Sequence, residues 1–378
     1  MAFFGLTGLA NVGNTCYLNS CLQVLSHTPE FTNLLQANNG AYKQRLNRVP
    51  DSILLLEWDK LRQQLWHTAG TSPGTSPGAQ PVVVPHNFVQ TVQRVAVLKK
   101  RDLFAGHAQN DVQEFLLFLI DCFHTALQRE VDMHIAGTEM NATDRLATTC
   151  YTMMQNMYRK EYSELLNIFY GIHVSEITAI MDVGAVGAAA QADARAPLAL
   201  SPEPFSVLSL SIPPDVKQPN LFQCLDLYCQ KETLEGPNAW FNPQTQAKQS
   251  VQRGILFWSL PQILIIDLKR WNGQLRKNQV LVDMPLVDLD LSAYVRGYNA
   301  ASFVYDLYGV CNHSGGVLGG HYTAYVKTTA SAMTTASAMT TASAAGGAWY
   351  AFNDTLVSPL AADKVITPYA YCFFYRKK

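Results

Sequence analysis

The chain has 378 residues, of which 48% are hydrophobic and 15% are charged, and its formal net charge is −1. This composition is typical of a globular protein with a large core, and it gives no reason to expect nucleic acid or a membrane as a partner. Eight cysteines are scattered along the chain without a dense framework, which predicts free thiols in a reducing compartment, the cytoplasm or the nucleus or both.

The first predicted element is an apolar helix that begins at or near Cys16. Apolar residues recur there with helical spacing, at Leu18, Cys21, Leu22 and Leu25. Asn14 or Thr15 can cap the first turn, and Pro29 ends the helix near His27. The free N–H groups of a helix start favour a thiolate, so we expect Cys16 to be a nucleophile. The alternative is that Cys16 is a small core residue, as most cysteines in apolar helices are.

Further helices are predicted in the first half of the chain. They span residues 53–66, 88–98, a segment that opens within 106–115, and about 159–166. In the third of these, Asp111 with Glu114 fits a capping pair, so helix capping alone is an alternative explanation for its polar start. A short helix is also expected at 221–229.

Strands dominate the last third of the sequence. Alternating or continuous apolar patterns predict strands at 169–177, 205–212, 263–268, 303–312, 321–327, 349–354 and 369–375. Loops are expected at 71–78 and 185–200, a glycine-rich loop at 313–320, and a disordered hairpin extension at 328–348. Helices followed by antiparallel strands indicate an α+β fold.

A cysteine nucleophile needs a base and a group that orients the base. His321 follows two glycines and begins a strand, and Asn353 and Asp354 lie on the strand that we expect to pair with it. With the extension looped out, His321 lies beside Asn353. A cysteine from one lobe with a histidine and an asparagine from the sheet of another is the papain-like arrangement.

Four motifs, in the same order, resemble those of the ubiquitin-specific proteases. Residues 8–25 resemble their cysteine box, 109–115 their Gln-Gln-Asp box, 260–271 the strand after their finger region, and 319–326 with 349–354 and 370–375 their histidine box. The resemblance extends from residue 5 to 376, apart from loops. It implies a papain-like cysteine protease fold with a helical thumb (1–150), a finger region (151–255) and a palm sheet (256–378) that carries the low-complexity insert 328–348.

The resemblance also implies catalytic roles. Cys16 is then the nucleophile and His321 the base, which Asn353 orients. Asp354 supports Asn353 or substitutes for it. Asn11 donates its side-chain amide to the tetrahedral oxyanion, alongside the backbone N–H of Cys16.

A channel for the extended C-terminus of ubiquitin is implied as well. Its lining residues are Gln109, Asp111, Gly319, Gly320 and Tyr322. The implied activity is hydrolysis of the isopeptide or peptide bond after the last glycine of ubiquitin, by a monomer whose partners are ubiquitin and ubiquitinated proteins. Two alternatives stay open: a catalytically idle ubiquitin-binding scaffold, and a hydrolase for another modifier that ends in Gly-Gly.

The finger region departs from the zinc ribbon that many family members carry there. Asn242 and Thr245 occupy the cysteine positions of the second Cys-x-x-Cys pair, and no cysteine lies at 177–182, where the first is expected. Cys224 and Cys229 have no second pair, whereas tetrahedral zinc needs four ligands. We therefore predict no structural zinc and no cofactor, a finger held by packing alone, and Cys224 as a core residue.

Overall fold

The structure is a computed structural model that describes residues 5–67, 81–180, 196–316, 319–328 and 347–378. The predicted loop at 71–78, most of the one at 185–200 and nearly all of the extension at 328–348 lie outside the described residues. Within the described ranges, no helix is both long enough and apolar enough to span a membrane.

The helices lie mainly in the first half of the chain. They are α1 Cys16–Ser26, α2 Pro29–Gly40, α3 Pro50–His67, α4 His86–Leu98, α5 Val112–Leu127, α6 Ala142–Glu161, α7 Leu165–Phe169 and α8 Leu221–Cys229. The predictions of α1, α3, α4, α5 and α8 are confirmed. The helix predicted at 159–166 is wrong, because the backbone is extended at Tyr162, between α6 and α7.

The strands are β1 Gly8–Leu9, β2 Val82–Val83, β3 Gly171–Ala179, β4 Ala199–Phe205, β5 Val207–Ser211, β6 Glu232–Leu234, β7 Trp240–Asn242, β8 Ala247–Gln249, β9 Val251–Ser259, β10 Ile263–Lys269, β11 Leu289–Asp290, β12 Val304–Gly316, β13 Gly319–Lys327, β14 Trp349–Asn353, β15 Leu356–Leu360 and β16 Ala370–Lys377. Each predicted strand has a counterpart among them. Several short strands, β6–β8 for instance, carried no sequence signal.

The largest sheet holds eight strands in the order β15-β14-β13-β12-β16-β10-β5, with β11 paired to β12. The predicted hairpin of β13 with β14 is confirmed, since Ala324 pairs with Phe352 and Lys327 with Trp349. Continuing this register places Asn353 two residues from the position opposite His321, on the same face of the sheet.

The glycine-rich loop predicted at 313–320 is wrong for most of its length. Residues up to Gly316 close β12, Gly319 opens β13, and the two arms pair with Ser314 opposite His321. A Cβ on Gly320 would lie 2.2 Å from His313 Nε2. Glycine therefore serves close approach of neighbouring atoms here, rather than an open loop.

A second sheet of four strands has the order β4-β3-β9-β6, and β7 pairs with β8 in a separate hairpin. Helix α6 packs on this sheet through β4 and β9. Residue 150, the boundary expected between thumb and finger, lies inside α6, and the three-part division stays a prediction.

Helix α1 lies at the centre of the molecule. All of its residues are buried, because it packs between α5 and the strands β12, β13 and β14 of the large sheet. A second core lies between α8 and the large sheet, and it includes Cys224 of α8, which is fully buried as predicted. The start of α1 is therefore the point where the helical part meets the large sheet.

Candidate active site

Cys16 is the first residue of α1 and is only 3% exposed. Its Sγ lies 3.8 Å from Gln109 Nε2, and the backbone N–H groups of Tyr322 and Tyr17 donate hydrogen bonds to it. Gln109 precedes α5 and Tyr322 lies on β13. Three separate elements thus meet at the sulfur atom.

Burial raises the pKa of the Cys16 thiol above its usual range, and the negative charge of Asp354 adds to this effect. Hydrogen bonds from the Tyr322 and Tyr17 amides and from Gln109 act in the opposite direction but do not outweigh it. The direction of this shift is opposite to the one expected from the free N–H groups at the helix start, and the nucleophilic role of Cys16 stays a prediction.

His321 and Asn353 form the expected pair. His321 Nε2 lies 2.6 Å from Asn353 Oδ1. An amide oxygen only accepts, so Nε2 carries the proton of the neutral ring and Nδ1 is left as the basic nitrogen. Within the ranges that the structure describes, no hydrogen bond joins Cys16 Sγ to His321.

The Asp354 carboxylate bonds to Asn11, which precedes α1, and to Asn19 on α1, rather than to His321. Its Oδ1 accepts from Asn19 Nδ2 at 2.8 Å and its Oδ2 from Asn11 Nδ2 at 3.1 Å. The residue is left-handed, with φ +49°, which Asp tolerates better than most residues. Its predicted support of Asn353 or of the histidine has no hydrogen bond in the described part of the chain. Asn19, buried on α1, was not predicted as a site residue.

The side chain of Asn11 is held at both ends. Its Oδ1 accepts from the backbone N–H groups of Gly13 and Thr15 at 3.2 and 3.0 Å, while its Nδ2 donates to Asp354. This fixes which end of the amide is the donor. The second N–H of Nδ2 is available to a ligand, since an amide nitrogen carries two protons.

Gln109 links the start of α5 to the start of β13. Its Oε1 accepts from Gly320 N at 3.0 Å and its Nε2 donates to Gly320 O at 2.5 Å. Gly320 meets the His313 ring, whereas a Cβ on Gly319 would have no described atom within 4 Å. The two glycines, predicted together, therefore have different environments.

Asp111 caps α5 and also binds two tyrosines. Its carboxylate accepts from the backbone N–H of Gln113 at 2.8 Å, from Tyr371 Oη at 2.7 Å and from Tyr322 Oη at 3.4 Å. Burial and the Asp111 charge raise the pKa of both tyrosines. The capping explanation is confirmed, and the predicted contact of Asp111 with the substrate tail stays a prediction. Tyr371, on β16, was not predicted.

A cavity of about 290 Å³ lies beside these residues. It is lined by Gln109, Asn110, Asp111, Trp271, Leu275, His313, Gly316 and Tyr322. Of the five residues predicted to line a channel, Gln109, Asp111 and Tyr322 line this cavity, whereas Gly319 and Gly320 are not part of its lining. Trp271, Leu275 and His313 were missed, although Trp271 ends one of the four motifs.

Asn242, at the end of β7, and Thr245, in the turn before β8, stand where the resemblance led us to expect the second cysteine pair of a zinc ribbon. Asn242 is buried; its Oδ1 accepts from Gln244 N at 2.9 Å and its Nδ2 donates to Gln249 at 3.2 Å. Searching the described ranges finds no group of three or more His, Cys, Asp or Glu side chains placed to bind a metal. The absence of zinc stays a prediction, and residues 181–182 lie outside the described ranges.

Comparison with known proteins decides the family. The family model described as "Ubiquitin carboxyl-terminal hydrolase" matches residues 7–375. The chain belongs to the ubiquitin carboxyl-terminal hydrolase family. The resemblance to ubiquitin-specific proteases is thereby confirmed.

Relatives of this hydrolase family align along almost the whole chain. "Ubiquitin carboxyl-terminal hydrolase 2" of Bos taurus is 31% identical over 98% of this chain and 55% of its own length. The Gallus gallus protein of the same name is 31% identical over 98% of this chain and 93% of its own length. The Drosophila melanogaster protein Usp2 is 28% identical, and the chain spans only 35% of it.

Solved structures share the fold of this family member. The SAGA Ubp8/Sgf11/Sus1/Sgf73 DUB module bound to ubiquitin aldehyde includes a chain that matches with a TM-score of 0.68 at 23% identity, over 99% of this chain and 70% of that one. The same module with monoubiquitin matches with a TM-score of 0.67. The papain-like α+β fold is confirmed.

Proposed function

We propose that this chain is a cysteine-type deubiquitinase that cleaves the isopeptide or peptide bond after the C-terminal glycine of ubiquitin. The observation that carries the proposal is that Gln109, which lines the cavity, lies with its Nε2 3.8 Å from Cys16 Sγ, while the His321–Asn353 pair joins β13 to β14. Relatives that carry the name ubiquitin carboxyl-terminal hydrolase support the substrate class.

The first step is activation of Cys16. His321 Nδ1 accepts the thiol proton, and the resulting thiolate attacks the carbonyl carbon of the last ubiquitin glycine. Because Sγ and His321 share no hydrogen bond in this conformation, substrate binding has to bring them together. Asn353 keeps the ring in the tautomer that leaves Nδ1 unprotonated.

The tetrahedral intermediate carries a negative oxygen. The backbone N–H of Cys16 and the second Nδ2 proton of Asn11 are the donors proposed for this oxygen, and Asp354 holds Asn11 in place. When the intermediate collapses, the protonated His321 gives its proton to the departing lysine amine. Water, deprotonated by the same histidine, then hydrolyses the thioester and restores the thiol.

The cavity selects an extended peptide that ends in small residues. Gln109 and Tyr322 approach the Cys16 sulfur closely, and Gln109 is bonded to Gly320, so a side chain on the last substrate residues would meet their atoms. Asp111 lies farther along, beside Tyr371 and Tyr322, where it receives backbone N–H groups of the bound tail.

The catalytically idle scaffold is the second candidate, and it is favoured by the burial of Cys16 and by the lack of a hydrogen bond from its Sγ to His321 in the described part of the chain. The deciding experiment is reaction with ubiquitin that bears a cysteine-reactive C-terminal group, read by intact mass. Wild type is compared with Cys16→Ala and with Cys229→Ala, which removes a cysteine on α8 outside the candidate site.

One ubiquitin adduct on wild type and on Cys229→Ala, with none on Cys16→Ala, is the expected result. Binding without an adduct supports the scaffold. If wild type shows no adduct and does not bind ubiquitin, the ubiquitin assignment is contradicted. A panel of other modifiers that end in Gly-Gly then tests the remaining alternative.

We further propose that the protein acts as a monomer in the cytoplasm or nucleus. Eight cysteines with free thiols support a reducing compartment. The matching Ubp8 module contains further subunits, so light scattering of the purified chain and fluorescence microscopy of the tagged protein are the tests.

A further inference from the structure

A short loop covers one side of the cavity. Residues 271–277, here called the cavity loop, begin and end at Trp271 and Lys277, which form an antiparallel bridge. Inside the loop, Asn272 Oδ1 accepts from the backbone N–H groups of Gln274 and Arg276 at 3.0 and 2.9 Å. These hydrogen bonds restrict the backbone conformation inside the loop.

The cavity loop presents apolar surface to the cavity. Trp271 and Leu275 both line it, and Leu275 is 65% exposed. Leu275 also has φ +57°, a left-handed conformation that costs a leucine roughly 1–2 kcal/mol. Leu275 is therefore placed where an apolar side chain of a substrate can pack against it.

Lys277 joins this loop to the opposite wall. Its Nζ lies 2.9 Å from His313 Nδ1 and donates to His313 O at 2.5 Å, and it is 5.8 Å from the centre of the Trp271 ring. No ion pair between Lys277 and a carboxylate occurs in the described part of the protein. Both acceptors of the Lys277 ammonium thus belong to His313, which lies outside the cavity loop, on β12.

His313 is itself fixed in place. It is 6% exposed, its ring centre is 4.6 Å from that of Tyr322, and Gly320 lies against its Nε2. Through His313, Lys277 therefore connects the cavity loop to the strand that carries His321.

We infer that Lys277 is a positioning residue that fastens the cavity loop to His313 and so sets the affinity for the C-terminal tail of the substrate. The inference rests on the proposed function for its substrate. Lys277 touches no reacting atom, so its loss acts on binding of the tail and leaves the chemical step in place.

The test compares Lys277→Met with Arg276→Met, which removes the same charge from the neighbouring, exposed position. With ubiquitin that carries a fluorogenic C-terminal amide, Lys277→Met is expected to raise KM about tenfold, equivalent to about 1.4 kcal/mol, with kcat within about twofold of wild type. Lys277→Arg is expected to restore much of the affinity, because a guanidinium also donates to both acceptors.

Hydrogen exchange of the peptide that covers 271–277 is a second readout that needs no activity. Faster exchange in Lys277→Met than in Arg276→Met supports the inference, and equal exchange overturns it. A fall in kcat at unchanged KM, or equal kinetics in both methionine variants, also overturns it. If wild type itself does not react with ubiquitin, the proposed function fails, while the exchange result still decides the role of Lys277 in the loop. Should Lys277→Met not fold, Lys277→Gln takes its place.

Discussion

Gly320→Ala is expected to damage both stability and catalysis. The new Cβ would lie 2.2 Å from His313 Nε2, about 1.2 Å short of the 3.4 Å at which ordinary contacts begin, and 2.7 Å from Ser314 O. His313 has little room to yield, because it is buried and bonded to Lys277. The start of β13 must then shift by about 1 Å, at a cost of about 1–3 kcal/mol of unfolding free energy.

This shift moves His321, the next residue, and weakens the link of Gly320 to Gln109. A displacement of about 1 Å in a catalytic group costs on the order of 100-fold in rate. We expect that loss in kcat/KM on the fluorogenic ubiquitin amide, and a lower midpoint in urea unfolding.

Gly319→Ala is the matched control, since its Cβ would meet no described atom within 4 Å. Its urea midpoint is expected to equal that of wild type. Because His321 is not displaced, kcat is expected to stay unchanged and any effect on activity to appear in KM. Gly320→Ala with wild-type stability and activity would refute the steric reasoning.

Three further changes separate the roles of neighbouring groups. Asn353→Ala is expected to lower kcat by at least about 100-fold with little change in KM, because His321 loses the partner that fixes its tautomer; equal kcat would contradict this. Asp354→Asn keeps a residue that tolerates the left-handed backbone but loses an acceptor oxygen, so we expect a fall in kcat of about 100-fold through Asn11, measured in single-turnover reactions. Burial lowers the pKa of His27 to about 4. As the pH falls below about 6.5, His27 takes up a proton in the unfolded chain but stays neutral in the folded protein. His27 alone therefore lowers the free energy of unfolding by about 2 kcal/mol between pH 7 and pH 5. His27→Gln is expected to flatten that slope in urea titrations, and an unchanged slope would show that other groups cause it.

Local signals were sufficient for the elements that carry the candidate catalytic residues. Apolar spacing and Pro29 placed α1 to within a residue, and the alternation after His321 placed β13. The pairing of β13 with β14 followed from treating the segment between them as an insert. These features depend on neighbours in sequence, which is why they were predictable.

The errors arose where distant residues decide the outcome. Helix α6 was missed because it is hydrophilic on average and only Leu146, Ala147 and Cys150 of its residues are buried. The expectation for the Cys16 thiol used only the local helix start, whereas burial by the surrounding fold acts on its pKa in the opposite direction.

Contacts that form only through the fold gave no signal of their own. Asp354 bonds to Asn11 and Asn19 across more than 330 positions of sequence. Likewise, Trp271 and Leu275 line one cavity with His313 of β12, which lies about 40 positions away in sequence.

The base of the β13–β14 hairpin is closed by its own hydrogen bonds. Lys327 pairs with Trp349, and Thr328 N donates to Ala348 O at 2.9 Å. The register that brings His321 to Asn353 is thus set before the intervening segment begins. Each doubling in the length of such a segment costs only about 0.6 kcal/mol of closure entropy. Evolution can therefore lengthen or shorten it, and an engineer can place an affinity tag there, without moving the histidine away from its asparagine.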